Sequence, residues 1–106
     1  MGMYKKLVRD KIPEKITQNG EIPETRILNE KEFLVEIKKK LLEEASECAA
    51  AINVTELTEE LADLEEVILA ILRVQGIAPQ AVEDARQEKF KKRGGFEKQI
   101  YLEGIK

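Results

Sequence analysis

The chain contains no histidine and no tryptophan, and it has one cysteine, Cys48, and five aromatic residues among 106. Without histidine, Ser-His-Asp and Cys-His catalysis are excluded, and so are zinc sites built from cysteine and histidine. A single cysteine cannot form an intrachain disulfide. Chemistry near neutral pH must therefore use carboxylates, lysines, arginines, backbone groups or a cation held by oxygen ligands.

Long apolar segments are also missing from the chain. No run approaches the roughly 18 to 20 residues that cross a bilayer, and the N-terminus lacks the unbroken apolar segment of a secretory signal. We therefore expect a cytoplasmic protein with no membrane partner. The length favours one domain over residues 1–106, because there is no internal repeat, low-complexity tract or flexible linker.

The charged residues are unevenly distributed along the chain. The formal net charge is −3, from 21 acidic and 18 basic residues. Between Leu41 and Leu72 there are nine acidic residues and no lysine or arginine, so the flanking segments are basic. An acidic protein with few aromatic residues is a poor candidate for nucleic-acid binding. The pattern fits a small anionic ligand that is bridged by a metal ion.

Helix-end signals and hydrophobic periodicity predict two helices in the first half of the chain. The first covers residues 11–18, with Asp10 as its N-cap and Asn19 directly after its end. Asn29, followed three positions later by Glu32, resembles a capping box. It opens a second, long helix that continues to about Ile52.

Capping residues and glycines in the second half of the chain predict two more helices. One begins after an N-cap at Thr55 and ends at Gly76, and it forms an antiparallel hairpin with the preceding helix. The last covers residues 79–93. Brief peripheral strands are expected at residues 25–28 and 96–102.

The predicted fold class is mainly α. One hairpin and two short helices bury only a modest core. We therefore expect a homodimer or a higher homo-oligomer, in which dimerisation completes a four-helix arrangement with small strands near the termini.

Four carboxylates are predicted to converge on one side of the hairpin. At 100° per residue, Glu44 and Glu47 lie about 60° and 120° to one side of the apolar stripe of the second helix. Glu60 and Asp63 lie about 40° and 100° to the same side of the third, at matching distances from the turn. Carboxylates crowded in this way raise one another's pKa values or bind a cation. Mg²⁺ suits such ligands, and Mn²⁺ is a possible substitute.

The simpler interpretation is that these acidic residues form a solvated helix surface, because carboxylates three positions apart are common in any glutamate-rich helix. The metal hypothesis is favoured by a combination of features. Two pairs share one side of the hairpin at matched heights, and no base lies between residues 41 and 72.

The same acidic residues carry a resemblance to a known family. Glu43-Glu44-x-x-Glu47, followed after twelve residues by Glu60-x-x-Asp63, resembles the E-E-x-x-E…E-x-x-D signature of the MazG-like all-α nucleoside triphosphate pyrophosphohydrolases. The opening segment YKKLVRDKIP, residues 4–13, and the closing segment KRGGF, residues 92–96, look like its small phosphoribosyl-ATP pyrophosphohydrolase-like branch. The resemblance covers nearly the whole chain.

The resemblance implies a Mg²⁺-dependent hydrolase that cleaves a nucleoside triphosphate between its α and β phosphates and releases a nucleoside monophosphate and pyrophosphate. One carboxylate of the site would accept the proton of the attacking water. Carried over by motif, the catalytic metal ligands are the same residues that helical geometry brings together, namely Glu44, Glu47, Glu60 and Asp63.

Basic side chains near the phosphates would stabilise the charge of the transition state. The candidate substrate-binding residues are Lys89, Lys92 and Arg93 on the last helix, and Arg9 and Lys11 near the N-terminus. For each of them, a solvated surface base is an equally good interpretation, and near the C-terminal end of a helix such a base is favourable.

Two other functions remain open from the sequence. A non-catalytic dimerisation or regulatory module would bind a basic partner through its acidic patch, although the inward-leaning Glu44 and Glu60 argue against this. The second alternative keeps the enzyme but takes phosphoribosyl-ATP of histidine biosynthesis as the substrate. No residue pattern in the chain decides between nucleotides.

Overall fold

The computed structural model describes residues 5–106, and all regular structure within them is helical. The helices are α1 (Ile12–Gln18), α2 (Glu30–Ala50), α3 (Val54–Gln75) and α4 (Pro79–Arg93). The predicted mainly α fold class is confirmed. Tyr4, the first residue of the N-terminal motif, lies outside the described residues.

Helix α2 begins at the predicted capping box. The Asn29 side chain accepts a hydrogen bond from the Glu32 amide at 2.8 Å, and the Glu32 carboxylate accepts one from the Asn29 amide at 3.3 Å. Arg26 adds an ion pair to the same carboxylate at 2.8 Å. The start of the long helix is therefore fixed by local side-chain chemistry.

The turn between α2 and α3 is set by Asn53 and not by Thr55 as predicted. The Asn53 side chain accepts a hydrogen bond from the Glu56 amide at 2.8 Å, so α3 begins at Val54. Asparagine is at least as good an N-cap as threonine. The same turn ends α2 at Ala50, two residues before the predicted Ile52.

The predicted N-cap of α1 is also wrong. The Arg9 carbonyl accepts a hydrogen bond from the Ile12 amide at 3.0 Å, so Asp10 lies inside a turn that precedes the helix. Lys11 occupies the cap position, and its side chain makes no capping hydrogen bond. The predicted helix ends at glycine are confirmed, because Gly76 and Gly94 follow α3 and α4 with positive φ angles of 67° and 78°.

Helices α2 and α3 form the predicted antiparallel hairpin, and no other pair of described helices packs together extensively. The buried apolar residues of the described chain are Ile37, Val67 and Leu72. The radius of gyration is 18.4 Å, whereas a compact domain of this size has about 13 Å. The accessible surface is 9889 Å², against about 6,000 Å² for a typical monomer of this mass. A single chain therefore buries unusually little of its surface.

Four exposed apolar residues lie on one side of the hairpin, on the flank opposite to Glu44 and Glu47 by helical geometry. We call it the apolar face. Its exposed fractions range from 39% to 73%, far above those of core residues. Two helices cover only one side of each other, so this flank has no partner within the chain. The apolar face consists of Val35, Leu42, Leu61 and Ile68.

The two predicted peripheral strands are not formed within residues 5–106. Residues 25–28 and 96–102 carry no strand, and Ile27 and Tyr101 within them are almost fully exposed. A strand needs the backbone of a neighbouring strand as its hydrogen-bond partner. Neither segment has one in the single chain.

We predict that Asn53→Ala lowers the free energy of unfolding by about 1 kcal/mol, because the Glu56 amide loses its side-chain acceptor. Urea unfolding followed by circular dichroism measures this loss. Asn19→Ala is the matched control, since Asn19 follows α1 and no side-chain hydrogen bond of it is seen. Equal urea midpoints of unfolding for the two variants would show that the Asn53 cap contributes nothing to stability.

Candidate functional site

The hairpin brings together three of the four predicted carboxylate ligands. Glu44 and Glu47 come from α2 and Glu60 from α3, and one carboxylate oxygen of each lies within 4.8 Å of the other two. We call these three residues the carboxylate cluster. Oxygens that share a Mg²⁺ or Ca²⁺ ion at about 2.1 to 2.5 Å lie at most about 5 Å apart. The cluster is therefore nearly as compact as the ligand set of one cation.

Two oxygens of the cluster have no hydrogen-bond partner. Glu44 Oε2 and Glu60 Oε2 are both inaccessible to solvent and unpartnered, while Glu47 is exposed at the edge. A buried acceptor without a donor is unfavourable, and more so when it carries charge. These oxygens are hard donors of the kind that Mg²⁺, Mn²⁺ and Ca²⁺ prefer. The cluster thus has the chemistry of a site that could hold a metal ion.

The pKa values of the cluster reflect the same crowding. Burial raises the pKa of Glu44 most, followed by the close approach of the Glu47 carboxyl group and the negative charge of Asp63. The close approach of the Glu47 carboxyl group raises the pKa of Glu60 most, followed by burial. Crowded carboxylates are harder to ionise, so without a cation the cluster favours bound protons.

Two neighbours of the cluster modify its surroundings. The positive charge of Lys40, four residues before Glu44 on α2, partly offsets the rise in the Glu44 pKa. Burial raises the pKa of the Cys48 thiol, and the charges of the surrounding acidic residues raise it further. A thiolate is therefore disfavoured at Cys48, which argues against a nucleophilic role.

Asp63, the fourth predicted ligand, is engaged with Arg9. The Arg9 Nη2 donates to Asp63 Oδ1 at 2.7 Å, across 54 positions of sequence. Asp63 nevertheless lies near the cluster, since its charge contributes to the raised pKa values of Glu44 and Glu60. The four predicted carboxylates are thus neighbours, and an arginine binds one of them.

The other predicted substrate-binding residues are not brought to the cluster. Within residues 5–106, no hydrogen bond or ion pair joins Lys11, Lys89 or Arg93 to it, and Lys92 pairs with Glu88 on its own helix at 3.6 Å. Helix α4 does not pack extensively on the hairpin. In the single chain, the bases of α4 therefore make no described hydrogen bond or ion pair with the carboxylate cluster.

The larger of the two described surface cavities lies at the C-terminal end of α4. It has a volume of about 560 Å³ and is lined by Phe90, Arg93 and residues 94–100. A smaller cavity of about 250 Å³ involves Arg86 and Phe90. Neither includes a residue of the carboxylate cluster.

A family model for phosphoribosyl-ATP pyrophosphohydrolase matches residues 5–90, which include the carboxylate cluster and its arginine neighbour. The chain belongs to the phosphoribosyl-ATP pyrophosphohydrolase family. Neither a curated protein nor a solved structure gives a significant match. The predicted similarity to all-α pyrophosphohydrolases is thereby confirmed.

Membership in the phosphoribosyl-ATP pyrophosphohydrolase family makes the protein a hydrolase that acts on phosphoanhydride bonds. The enzyme prediction is confirmed, and the non-catalytic module is no longer favoured. The family's metal dependence agrees with the all-carboxylate donor set of the cluster. Within the described part of the chain, none of the helices has the length and apolarity needed to span a membrane.

Helical periodicity could not reveal the contact between Arg9 and Asp63. Arg9 lies before the first helix, in a segment without a repeating pattern, so its position depends on how the chain returns to the hairpin. The charge of Arg9 alone makes it a candidate for phosphate binding. Its carboxylate partner carries no local sequence signal.

We predict that the metal-free protein loses stability as the pH rises from about 4.5 towards neutrality. The pKa values of Glu44 and Glu60 are raised in the folded chain, so protonation of these groups favours folding. Their stabilising contribution is present at low pH and is lost as the pH passes the raised values. Glu44→Gln mimics the protonated group and should raise the melting temperature by a few degrees near pH 7.5.

The measurement is thermal unfolding in EDTA across this pH range. The difference between Glu44→Gln and the parent protein should shrink towards pH 4.5. Glu43→Gln is the matched control, because it removes the same charge from the exposed neighbouring position. An equal gain for both variants at every pH would contradict a specific effect of the cluster.

Proposed function

We propose that this pyrophosphohydrolase uses Mg²⁺ to cleave the phosphoanhydride between the α and β phosphates of a nucleotide, so that pyrophosphate and a nucleoside monophosphate unit are released. The observation that carries the proposal is the convergence of Glu44, Glu47 and Glu60, with two buried oxygens that lack partners. A cytoplasmic enzyme would meet both Mg²⁺ and nucleotides, and we propose that compartment.

Phosphoribosyl-ATP is the first candidate substrate, because the matching family model is that of phosphoribosyl-ATP pyrophosphohydrolase. Its cleavage would give phosphoribosyl-AMP and pyrophosphate. Ordinary nucleoside triphosphates are the second candidate, favoured by the acidic signature from Glu43 to Asp63, which resembles that of the MazG-like nucleoside triphosphate enzymes. Both substrates present the same triphosphate to the site, so the proposed chemistry is the same.

The proposed ligands are Glu44, Glu47 and Glu60, with Asp63 as the fourth. When bound, Mg²⁺ supplies charge neutralisation for the phosphates and a more acidic water. A carboxylate of the site accepts the proton as the water oxygen forms a bond to phosphorus and the bridging P–O bond breaks. The leaving group, which is pyrophosphate when water attacks the α phosphorus, finally receives that proton.

The basic residues have a less direct part in this proposal. Lys89, Lys92 and Arg93 would contact substrate phosphates, together with Lys11. Because α4 does not pack extensively on the hairpin of its own chain, these side chains would approach by movement of α4 or from a second subunit.

We also propose that the protein is a homodimer joined through the apolar face. The accessible surface of 9889 Å² exceeds that of a typical monomer by about 3,900 Å². A stable interface needs only about 800 Å² from each partner. Two hairpins packed through these faces would form a four-helix arrangement with the carboxylates on the opposite flanks.

We predict that Glu47→Ala and Glu60→Gln each lower the rate of pyrophosphate release by at least about 100-fold. Each variant removes an oxygen ligand, which should cost more than the 10- to 100-fold typical of outer-shell residues. The assay follows pyrophosphate from phosphoribosyl-ATP and from individual nucleoside triphosphates, with and without Mg²⁺. Phosphorus NMR distinguishes pyrophosphate from inorganic phosphate and so identifies the cleaved bond.

Glu43→Gln serves as the control for this assay, since its side chain is exposed and lies outside the cluster. It should retain nearly the parent rate. Circular dichroism of each variant excludes unfolding as the cause of a loss. Parent-like rates for Glu47→Ala and Glu60→Gln would contradict the proposed site, and release of inorganic phosphate would contradict the proposed bond.

We predict that Leu42→Glu reduces the mass in solution from twice 12.1 kDa to 12.1 kDa. Leu42 is 73% exposed in the single chain, so the new charge should disturb the interface more than the hairpin. Sedimentation equilibrium measures the mass, and Ile22→Glu in the loop before α2 is the control. A monomeric parent protein, or a dimer unaffected by Leu42→Glu, would refute this interface.

A further inference from the structure

The ion pair between Arg9 and Asp63 differs from the others that the structure shows. Those join residues at most seven positions apart, whereas Arg9 and Asp63 are separated by 54 positions. It ties the segment before α1 to α3 at the edge of the carboxylate cluster. A contact of this kind depends on the tertiary fold and not on helical proximity.

Among the proposed metal ligands, Asp63 is the one with a carboxylate oxygen that already binds an arginine. Its Oδ1 accepts from the Arg9 guanidinium at 2.7 Å, while buried oxygens of Glu44 and Glu60 have no partner. Asp63 also falls outside the compact group of three oxygens. A guanidinium and a divalent cation repel each other, so both cannot share this carboxylate without cost.

The ion pair is suited to exchange. The side chains of Arg9 and Asp63 are 59% and 43% exposed, and pairs exposed to this degree contribute little to stability. Release of Arg9 therefore requires no unfolding. A freed guanidinium beside the cluster can bind phosphate oxygens through two parallel hydrogen bonds, which is a stronger arrangement than its single bond to Asp63.

We propose that Arg9 is a displaceable counter-charge of the site: it neutralises Asp63 in the absence of metal, and it transfers to a substrate phosphate when Asp63 turns to the cation. This inference rests on the proposed function of the cluster. Arg9 then has two successive partners, Asp63 and a substrate phosphate, and Asp63 is an exchangeable metal ligand. The carboxylates of Glu44, Glu47 and Glu60 lie together before any metal binds.

Arg9→Gln should then change two binding events in opposite directions. Binding of metal alone should become about two- to fivefold tighter, since the cation no longer displaces an arginine. The KM for the nucleotide should rise about tenfold, with a smaller change in kcat, because a charged contact to phosphate is lost. A purely structural role of Arg9 predicts that metal and nucleotide binding both weaken.

The first experiment is a calorimetric titration of the nucleotide-free protein with Mn²⁺ alone. It compares the parent chain with Arg9→Gln, Arg9→Lys and Lys15→Gln. Lys15→Gln removes the same charge from an exposed position on α1 and controls for the change in net charge. Arg9→Lys keeps the charge but not the paired donors, so its Mn²⁺ affinity should stay near that of the parent while its KM lies between those of the parent and Arg9→Gln.

The outcomes separate this inference from the function on which it rests. If the parent chain binds no Mn²⁺ and has no pyrophosphohydrolase activity, the proposed function fails. If the parent binds Mn²⁺ and is active but Arg9→Gln matches Lys15→Gln in both measurements, only the role of Arg9 is refuted. Weaker Mn²⁺ binding by Arg9→Gln would also refute it. Tighter Mn²⁺ binding with a raised KM, unmatched by Lys15→Gln, supports it.

Discussion

The crowding of carboxylates at the edge of one helical hairpin is the constraint on which the site depends. Glu47 lies close enough to Glu44 and Glu60 to raise both of their pKa values. Like charges at this distance are unfavourable unless protons, a base or a cation offset them. The chain places no lysine or arginine between residues 41 and 72. The repulsion within the cluster is therefore offset only in part, by Lys40, and a bound cation would offset it further.

The hairpin separates two tasks between its flanks. One flank carries the carboxylate cluster, and the other carries the apolar face with Leu42 and Leu61. Charged groups near an apolar interface would be desolvated at a cost, so this division would let the proposed assembly and metal binding proceed without interference. The small core of Ile37, Val67 and Leu72 and the elongated shape of the single chain are the observations that favour the proposed dimer.

The sequence was sufficient to predict features that depend on local rules. The capping box at Asn29 and the glycine ends of α3 and α4 follow from backbone chemistry within a few residues. The proximity of Glu44 and Glu60 follows from the 100° rotation per residue in two helices joined by a short turn. Prediction failed where local signals competed, as at Asn53 and Thr55, because both residue types cap helices well. It also failed where distant segments meet, as in the pairing of Arg9 with Asp63, for which no periodicity exists.

The extent of the family match bears on the parts of the chain that do not pack on the hairpin. It covers residues 5–90 and therefore includes α1, the segment with Arg9 and most of α4. These flanking elements add little to the core of the hairpin. Their inclusion in the family match therefore indicates that they serve the function and not only the packing. Arg9 gives the N-terminal segment a direct link to the carboxylates. The ion pairs that the structure shows on α4 join Arg86 and Lys92 to glutamates of the same helix, so the proposed role of α4 requires a phosphate or a second subunit as a further partner.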